Sequence, residues 1–223
     1  MSPVPCNLQA LRQKNPVQRL SCKNTVSRVN FHITSCVPGY AGLNALEDGL
    51  PLPEFFCSGE TGMHTLHETL QQTLRCGYAH HMQRLMITGL YCLLYGVRPR
   101  AVHEWYLEVY VNAVEWVELP RTPGMSQYAD GVYIESRPCA ASGAYLNRMS
   151  NYCAGSRYDP SVARGDSACP FTTLYWDFPV RHKGQFTSHP GTALQWRAPG
   201  SKDSDELKAI GVKGEGIRFG SSG

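Results

Sequence analysis

Apolar residues in the middle of the chain recur at the three- and four-residue spacing of a helix that buries one face. The first such pattern predicts a helix that is N-capped by Thr61 and ends at Gly77. Its apolar positions are Met63, Leu66, Leu70 and Leu74. This spacing indicates an amphipathic helix packed on a core.

The pattern predicts two more helices further along the chain. One runs over residues 80–95 and is closed by Gly96. Pro99 suits the first turn of the next helix, which is predicted over 102–118, until Pro120 forbids its continuation. These helices carry two adjacent histidines, an arginine and several acids among apolar positions. Because buried polar groups need partners, the stretch indicates either a saturated hydrogen-bond network or a functional site.

The fold class predicted from the whole pattern is all-α. Shorter helices are predicted over 141–152 and 168–177, joined by loops rich in Gly, Asp and Pro, and no stretch shows the sustained alternation of a strand. A chain of 223 residues that is 42% hydrophobic can bury one ordinary core. We therefore expect one domain with a tail on each side.

The two ends of the chain differ in composition from its middle. Residues 1–46 contain five Lys or Arg and no Asp or Glu, which is typical of an organellar transit peptide or of a disordered leader. Residues 179–223 are rich in Gly, Pro, Ser and Lys and end in KGEGIRFGSSG. Because this composition offers little to bury, we expect the end of the chain to be mobile.

Charge and cysteine content narrow the setting but do not decide the function. A net charge of +3 permits an anionic partner such as DNA without requiring one. The nine cysteines form no CxxC pair and no secretory signal precedes them, so we expect reduced thiols and an intracellular location, in cytoplasm or nucleoid. An organelle is the alternative if the leader is a transit peptide. No apolar run reaches the ~18 residues of a membrane span, so no membrane association is expected.

Eight sequence runs, in order along the chain, carry a family resemblance. They are VPGYAGLNAL (37–46), PLPEFF (51–56), YAHHMQRLM (78–86), WYLEVYVNAVEWVELP (105–120), GMSQYADG (124–131), ASGAYLNRMS (141–150), RYDP (157–160) and ACPFTTLYWDF (168–178). They resemble the helical FAD-binding domain of the iron–sulfur bacterial cryptochromes and photolyases, the deoxyribodipyrimidine photolyase-related proteins. The resemblance covers 37–197. It divides the chain into a disordered or transit-like leader (1–36), a helical photolyase-like domain (37–197) and a flexible tail (198–223).

The resemblance implies a light-driven enzyme that acts on UV-damaged DNA. In this family, excited reduced FAD passes an electron to a pyrimidine dimer, with the (6-4) photoproduct as the favoured lesion. His81 is similar to the histidine of the family's lesion pocket, and His80 to its neighbour. A histidine can donate the proton that this reaction needs, because its pKa lies near neutral pH. Adjacent helical residues do not share a face, so the alternative for one of the two is a core or capping residue.

Three further positions are implied to surround the flavin. Arg84 resembles an arginine beside the flavin, and Glu118 the acid that faces its reactive nitrogen. Asn112 stands where the family usually has an Asp that pairs with that arginine, so a charge is missing from this site. Without the resemblance, Arg84 is an ordinary solvated helix charge and Glu118 an acid at a helix C-terminus.

An internal electron path is also implied by the resemblance. Trp105, which the resemblance also places at the cofactor, and Tyr106 lie on this path, with Tyr145 as a nearby redox-capable tyrosine. The outer tryptophan of the path is replaced by Cys57. The alternative for all these aromatic residues is helix packing.

The family's iron–sulfur cluster is where this sequence departs most from the pattern. The four ligand positions hold Thr65, Cys153, Ser156 and Cys169, so two thiolates remain of the four that a [4Fe–4S] cluster uses. We expect the cluster to be lost. A zinc site formed by His64, His67 and Cys153 is a weaker alternative, because solvent-facing helix histidines have the same spacing.

Two functions from different classes remain open at this stage. The family carries an N-terminal antenna domain and further flavin-binding helices ahead of the PGYAGLNAL run, so the resemblance implies a truncated C-terminal portion. The first function is an FAD-dependent DNA photolyase, a carbon–carbon lyase. The second is a non-catalytic cryptochrome-like or degenerate fragment that binds flavin or nucleic acid.

Overall fold

The computed structural model of the chain describes residues 39–131, 134–135, 137–186 and 203–220. Over these residues the structure is helical and contains no strand, which confirms the predicted all-α class. The leader expected over 1–36 lies outside the described residues. The described chain forms two compact units. The sequence pattern predicts a single domain over 37–197, and each unit is treated separately below.

The first unit comprises residues 39–60 and 69–139 and holds most of the helices. Its elements are α1 (Phe55–Ser58), the later part of α2 (His64–Cys76), α3 (His81–Gln83), a π-helical segment (Arg84–Gly89), α4 (Leu90–Tyr95), α5 (Pro99–Val109), α6 (Glu115–Leu119) and a second π-helical segment (Pro120–Ser126).

The core of the first unit is built from aromatic rings. Trp105 on α5 is fully buried, and its ring meets the ring of Phe56 edge-on at a centroid distance of 5.2 Å. The indole Nε1 donates a hydrogen bond to the Phe56 carbonyl oxygen at 3.2 Å, so burial of the ring leaves no indole donor unpaired. Every residue of α4 is buried, which explains its uninterrupted apolar sequence.

The helix predicted over 80–95 is present, but its middle is widened into the π-helical segment Arg84–Gly89. The hydroxyl of Thr88 donates to the Arg84 carbonyl oxygen at 2.9 Å, and the Gln127 side-chain amide donates to the Gly89 carbonyl oxygen at 2.9 Å. A Cβ atom at Gly89 would lie 2.9 Å from the Arg84 carbonyl oxygen. Only glycine fits this close approach, and such π-turns are frequent at functional sites.

The continuous helix predicted over 102–118 is wrong, because α5 ends at Val109 and α6 begins at Glu115. Tyr110 is extended, and the backbone N–H of Val111 donates to the Gly77 carbonyl oxygen at 2.9 Å instead of continuing the helix. A tertiary hydrogen bond thus replaces the helical one, and helix propensity could not reveal this exchange.

The second unit comprises 61–68, 140–186 and 203–220 within the described residues. Its elements are the first residues of α2, then α7 (Gly143–Met149), a 3₁₀ turn (Tyr152–Gly155), α8 (Pro170–Arg181), α9 (Lys183–Phe186) and α10 (Ser204–Phe219). Pro170 occupies the first turn of α8, where its missing N–H costs nothing.

The flexible tail expected over 198–223 is contradicted over α10, which packs against α8. Ile210 is fully buried, and a Cβ atom at Gly214 would lie 3.0 Å from Cγ of Asp177. Arg218 Nη2 lies 3.4 Å from Asp177 Oδ2, and both side chains are buried. The glycines that suggested disorder let α10 approach α8 closely, and a buried ion pair fixes the contact. The other tail residues, 198–202 and 221–223, lie outside the described residues.

Two smaller findings concern membranes and thiols. Among the described residues, no helix combines the length and the hydropathy that a membrane crossing requires.

Cys57 is disulfide-bonded, contrary to the expectation that the thiols are reduced, because the absence of a CxxC pair does not exclude pairing of distant cysteines. Five other cysteines are free thiols: Cys76, Cys92, Cys139, Cys153 and Cys169.

His182, just after α8, makes the stability of the chain depend on pH. Its ring packs against Phe178 and Phe186 at centroid distances of 4.9 and 5.9 Å, and burial, followed by Arg181, lowers its pKa to about 4. The unfolded chain, with a histidine pKa of about 6.5, therefore binds more protons than the folded chain between these values. The free energy of unfolding should fall by about 3 kcal/mol as the pH drops from about 6.5 to about 4.

Urea unfolding across this pH range measures the effect, with His182→Phe as the matched variant that keeps an aromatic ring beside Phe178 and Phe186. The variant should lose less stability on acidification than the parent chain. Equal pH slopes for the two proteins would contradict the assignment.

Candidate functional site

A cavity of about 120 Å³ in the first unit gathers five of the site residues proposed from the sequence, namely His81, Arg84, Tyr106, Asn112 and Glu118. Ala79, Leu85 and Tyr106 are among the residues that line it. The polar and aromatic side chains at the cavity are Tyr78, His81, Arg84, Asn112, Glu118 and Arg121. Convergent polar groups in an otherwise apolar cavity are typical of a binding site for a small molecule.

Arg84 lies at the centre of this arrangement. Its Nη2 donates to Oδ1 of Asn112 at 2.6 Å, and its Nε donates to the Ala79 carbonyl oxygen at 3.0 Å. The guanidinium carbon lies 3.7 Å from the ring centroid of Tyr110, within cation–π range. Arg84 is therefore a buried, fully oriented cation, and the alternative of a solvated helix charge is excluded.

Glu118 supplies the opposing charge. Its Oε1 lies 3.7 Å from Arg84 Nη1, and its Oε2 accepts a hydrogen bond from the Thr122 hydroxyl at 3.1 Å. Burial raises the pKa of the Glu118 carboxyl, although Arg84 and then Thr122 act in the opposite direction. The site therefore contains a carboxyl that holds a proton more readily than an exposed glutamate does.

The break between α5 and α6 brings Asn112 to the cavity. Because Oδ1 of Asn112 accepts from Arg84, the amide nitrogen is directed away from that bond and can donate to a ligand. Asparagine adds no charge, so Glu118 is the acidic side chain at the cavity, beside Arg84 and Arg121. The local charge favours a ligand with anionic or hydrogen-bond-accepting groups.

The two adjacent histidines have different roles. His80 is the N-cap of α3: its Nδ1 accepts from the Met82 N–H at 3.3 Å, while Oε1 of Gln83 accepts from the His80 N–H at 2.8 Å. This reciprocal pair is a capping box. His81 lines the cavity. The alternative considered from the sequence, that one histidine is a capping residue, fits the geometry of His80.

The aromatic residues proposed for electron transfer are only partly brought together. Tyr106 lines the cavity and its hydroxyl donates to the Arg84 carbonyl oxygen at 2.5 Å. Trp105 does not line the cavity, but its ring centroid lies 5.6 Å from that of Tyr106. Tyr145 is a half-buried residue of α7 in the second unit. Trp105 is fully buried and packs in the core. This packing role is the alternative that the sequence analysis gave for the aromatic residues.

The sequence analysis missed Tyr78, Tyr110 and Arg121. Arg121 follows Glu118 by three residues, so helical spacing was an available signal for it, whereas Tyr110 lies in extended backbone just beyond the end of α5. Tyr78 had no such signal, because it lies in the turn between α2 and α3.

The four positions of the family's cluster all lie in the second unit. Burial, followed by nearby Cys169, raises the pKa of the Cys153 thiol, and Thr65 acts in the opposite direction. Two thiols and two hydroxyls do not fit a [4Fe–4S] cluster, which needs four thiolates. In the described part of the chain, no three His, Cys, Asp or Glu side chains come together as a metal site, and this includes the zinc set with His64 and His67.

The cavity in the first unit is smaller than the sites that usually hold a ligand of the size of FAD. Sites for ligands of that size usually enclose about 300–1,000 Å³, against about 120 Å³ here. The polar edge of a flavin can be bound by a cation in a fixed orientation, by an amide donor and by a carboxyl that can take up a proton. On this geometry, Arg84, Asn112 and Glu118 would hold that edge.

The fold and the site define an all-α module with a charged, partly aromatic cavity. No protein-family model matches the chain. The chain is 51% identical over 152 residues to a (6-4) photolyase from Agrobacterium fabrum (strain C58 / ATCC 33970), a match that covers 68% of this chain. The chain belongs to the cryptochrome/photolyase family. It spans about 30% of the length of the curated relative that it matches.

The buried pair of Arg84 and Glu118 yields a prediction about stability. Arg84→Gln removes the cation and leaves the Glu118 carboxyl buried without its ion-pair partner, so it should lower the free energy of unfolding by about 3 kcal/mol at mildly alkaline pH. The cost should shrink at acidic pH, where Glu118 takes up a proton. Urea unfolding monitored by circular dichroism measures both values.

The double variant Arg84→Gln, Glu118→Gln is the matched control, because it removes both charges and keeps polar side chains. It should recover a substantial part of the lost stability. If the double variant is as unstable as the sum of the two single variants, the two residues do not act as a pair.

Proposed function

We propose that this chain is part of an FAD-dependent, light-driven DNA photolyase that repairs UV-induced pyrimidine dimers, with (6-4) photoproducts as its lesion. The observation that carries the proposal is its 51% identity to a (6-4) photolyase, with the resemblance-derived residues His81, Arg84 and Glu118 at one cavity. The partner is UV-damaged DNA. The proposed location is intracellular, in cytoplasm or nucleoid, or in an organelle if 1–36 is a transit peptide.

The protein groups at the cavity support flavin binding in this proposal. Bound FAD supplies the light-driven electron transfer. Arg84 favours negative charge at the ring edge, because its guanidinium is oriented by Asn112 and Ala79 before any ligand arrives. Glu118 can hold a proton close to that edge, since burial raises the pKa of its carboxyl. Asn112 contributes a neutral hydrogen bond at a position where the family's usual Asp contributes a charge.

His81 is the proposed proton donor to the lesion. His81 lines the cavity, whereas the His80 ring caps α3. Replacing His81 should therefore lower the rate of repair more than replacing His80. Trp105 and Tyr106 are the proposed inner residues of an electron path, with rings 5.6 Å apart and Tyr106 at the cavity wall. Tyr145 is proposed as a further redox-capable residue of that path.

The alternative function is a non-catalytic flavin- or nucleic-acid-binding fragment of the family. The specific observations in its favour are the size of the cavity, about 120 Å³, and the missing charge at Asn112. Light-dependent repair of a lesion-bearing oligonucleotide by the chain after incubation with FAD separates the two: repair supports the photolyase, and a visible flavin band without repair supports the alternative.

His81→Ala should suppress light-dependent repair of (6-4) lesions by roughly 10²–10⁴-fold, the usual contribution of general acid catalysis. Thermal stability should change little, because the His81 side chain is exposed and is not the N-cap of α3. Bound flavin should be retained, because Arg84, Asn112 and Glu118, the residues proposed to hold the flavin edge, are unchanged. The measurement is chromatographic recovery of an intact oligonucleotide from a lesion-bearing one, with flavin absorbance recorded in parallel.

His80→Ala is the matched control for this prediction. It should affect repair less and stability more, by about 1 kcal/mol, because it removes an N-cap. Repair at the parent rate by the His81 variant, or a loss of repair fully explained by lost flavin, would exclude the proton-donor role.

We also propose that the chain holds no iron–sulfur cluster, since Thr65 and Ser156 replace two ligands. Thr65→Cys together with Ser156→Cys should permit cluster assembly in an anaerobic reconstitution, approaching about four iron atoms per chain, while each single variant should not. Iron and sulfide analysis measures the difference. Near-stoichiometric iron in the parent chain, or equal uptake by single and double variants, would refute the proposal.

A further inference from the structure

Tyr78 is an aromatic side chain held at the rim of the cavity with much of its surface in solvent. It is 48% exposed and lies among the lining residues of the cavity. The Arg84 guanidinium carbon lies 5.5 Å from its ring centroid. The short turn that carries Tyr78 is held at both sides, because the Gly77 carbonyl accepts from Val111 and the Ala79 carbonyl accepts from Arg84. An exposed ring on a fixed backbone is preorganised for stacking.

Arg121 is a second cation at the same cavity. Its side chain is exposed, and within the described ranges it makes no ion pair or side-chain hydrogen bond. Its nearest acidic influence is Glu118, which is buried and already bound by Arg84 and Thr122. Arg84, by contrast, is buried and already donates to Asn112 and Ala79. Arg121 is therefore the cation at this cavity that is available to an anionic ligand.

We propose that Tyr78 and Arg121 form a nucleotide-binding rim, in which an unstacked base of single-stranded or locally opened DNA stacks on Tyr78 and an adjacent phosphate pairs with Arg121. An aromatic platform next to a cation is the combination that proteins use to bind single-stranded nucleic acid. The proposal rests on the proposed function, because it states how the DNA partner is held at the cavity. It requires neither flavin nor light.

Two pairs of variants isolate the two contacts. Tyr78→Leu removes the ring and keeps an apolar side chain, whereas Tyr78→Phe keeps the ring and removes only the hydroxyl. Arg121→Gln removes the cation at the rim. Arg98→Gln is its matched control, since Arg98 is an exposed arginine of the same unit that does not line the cavity.

The assay is fluorescence anisotropy of a fluorescein-labelled oligothymidylate with the 223-residue chain, in the dark, over a series of NaCl concentrations. Tyr78→Leu should weaken binding by about 5- to 100-fold without changing the salt dependence, and Tyr78→Phe should bind like the parent. Arg121→Gln should reduce the slope of log affinity against log salt by about 0.7, the loss of one phosphate contact on a single strand. Arg98→Gln should leave that slope unchanged.

Three results would overturn the proposal. They are equal affinities for Tyr78→Leu and Tyr78→Phe, equal salt slopes for Arg121→Gln and Arg98→Gln, or no saturable binding by the parent chain at about 10⁻⁴ M, the weak limit of non-specific affinity. Circular dichroism of each variant shows that it is folded. Flavin absorbance and light-dependent repair are recorded separately, so a chain that binds DNA as expected but repairs nothing refutes the proposed function and leaves the rim standing.

Discussion

The buried guanidinium of Arg84 is the constraint on which the first unit depends. A cation removed from water must be surrounded by partners, or the fold loses the free energy of its hydration. Arg84 obtains these partners from four separate places in the chain: the Ala79 carbonyl, the Tyr110 ring, the Asn112 amide and the Glu118 carboxylate. Each of these segments must therefore take the backbone course that presents its group to Arg84.

The irregular backbone around the cavity follows from this requirement. The π-turn Arg84–Gly89 widens the helix next to the cation, and its cost is offset by hydrogen bonds from Thr88 and Gln127. The break after Val109 gives up helical hydrogen bonds, but the Val111 N–H regains one on Gly77 and Asn112 reaches the guanidinium. Irregular segments that persist only with such compensation are typical of functional sites.

The sequence predicted the helices that bury apolar residues at regular spacing. It did not predict the segments in which a tertiary contact overrides local helix propensity. The helix α2 and the apolar helix α4 follow from spacing alone. The end of α5 at Val109 does not, because it depends on a carbonyl more than thirty residues away. The helix α10 was missed because its composition was taken to offer little to bury, whereas Ile210 is fully buried and Gly214 permits contact with Asp177. His81, Arg84 and Glu118 came from the family resemblance, and no helical spacing could have supplied Tyr78.

The two units differ in whether their buried polar groups can still contact a ligand. In the second unit, the buried Asp177 carboxylate is paired with the buried Arg218 guanidinium at 3.4 Å, so both groups are taken up by the packing of α10 on α8. In the first unit, Glu118 and Asn112 satisfy Arg84 and still border a cavity. A ligand can compete for groups at an open cavity at little cost, but it must break a closed network to reach those of the second unit. The buried polar groups of the first unit that stay open to a ligand therefore lie at the Arg84 cavity.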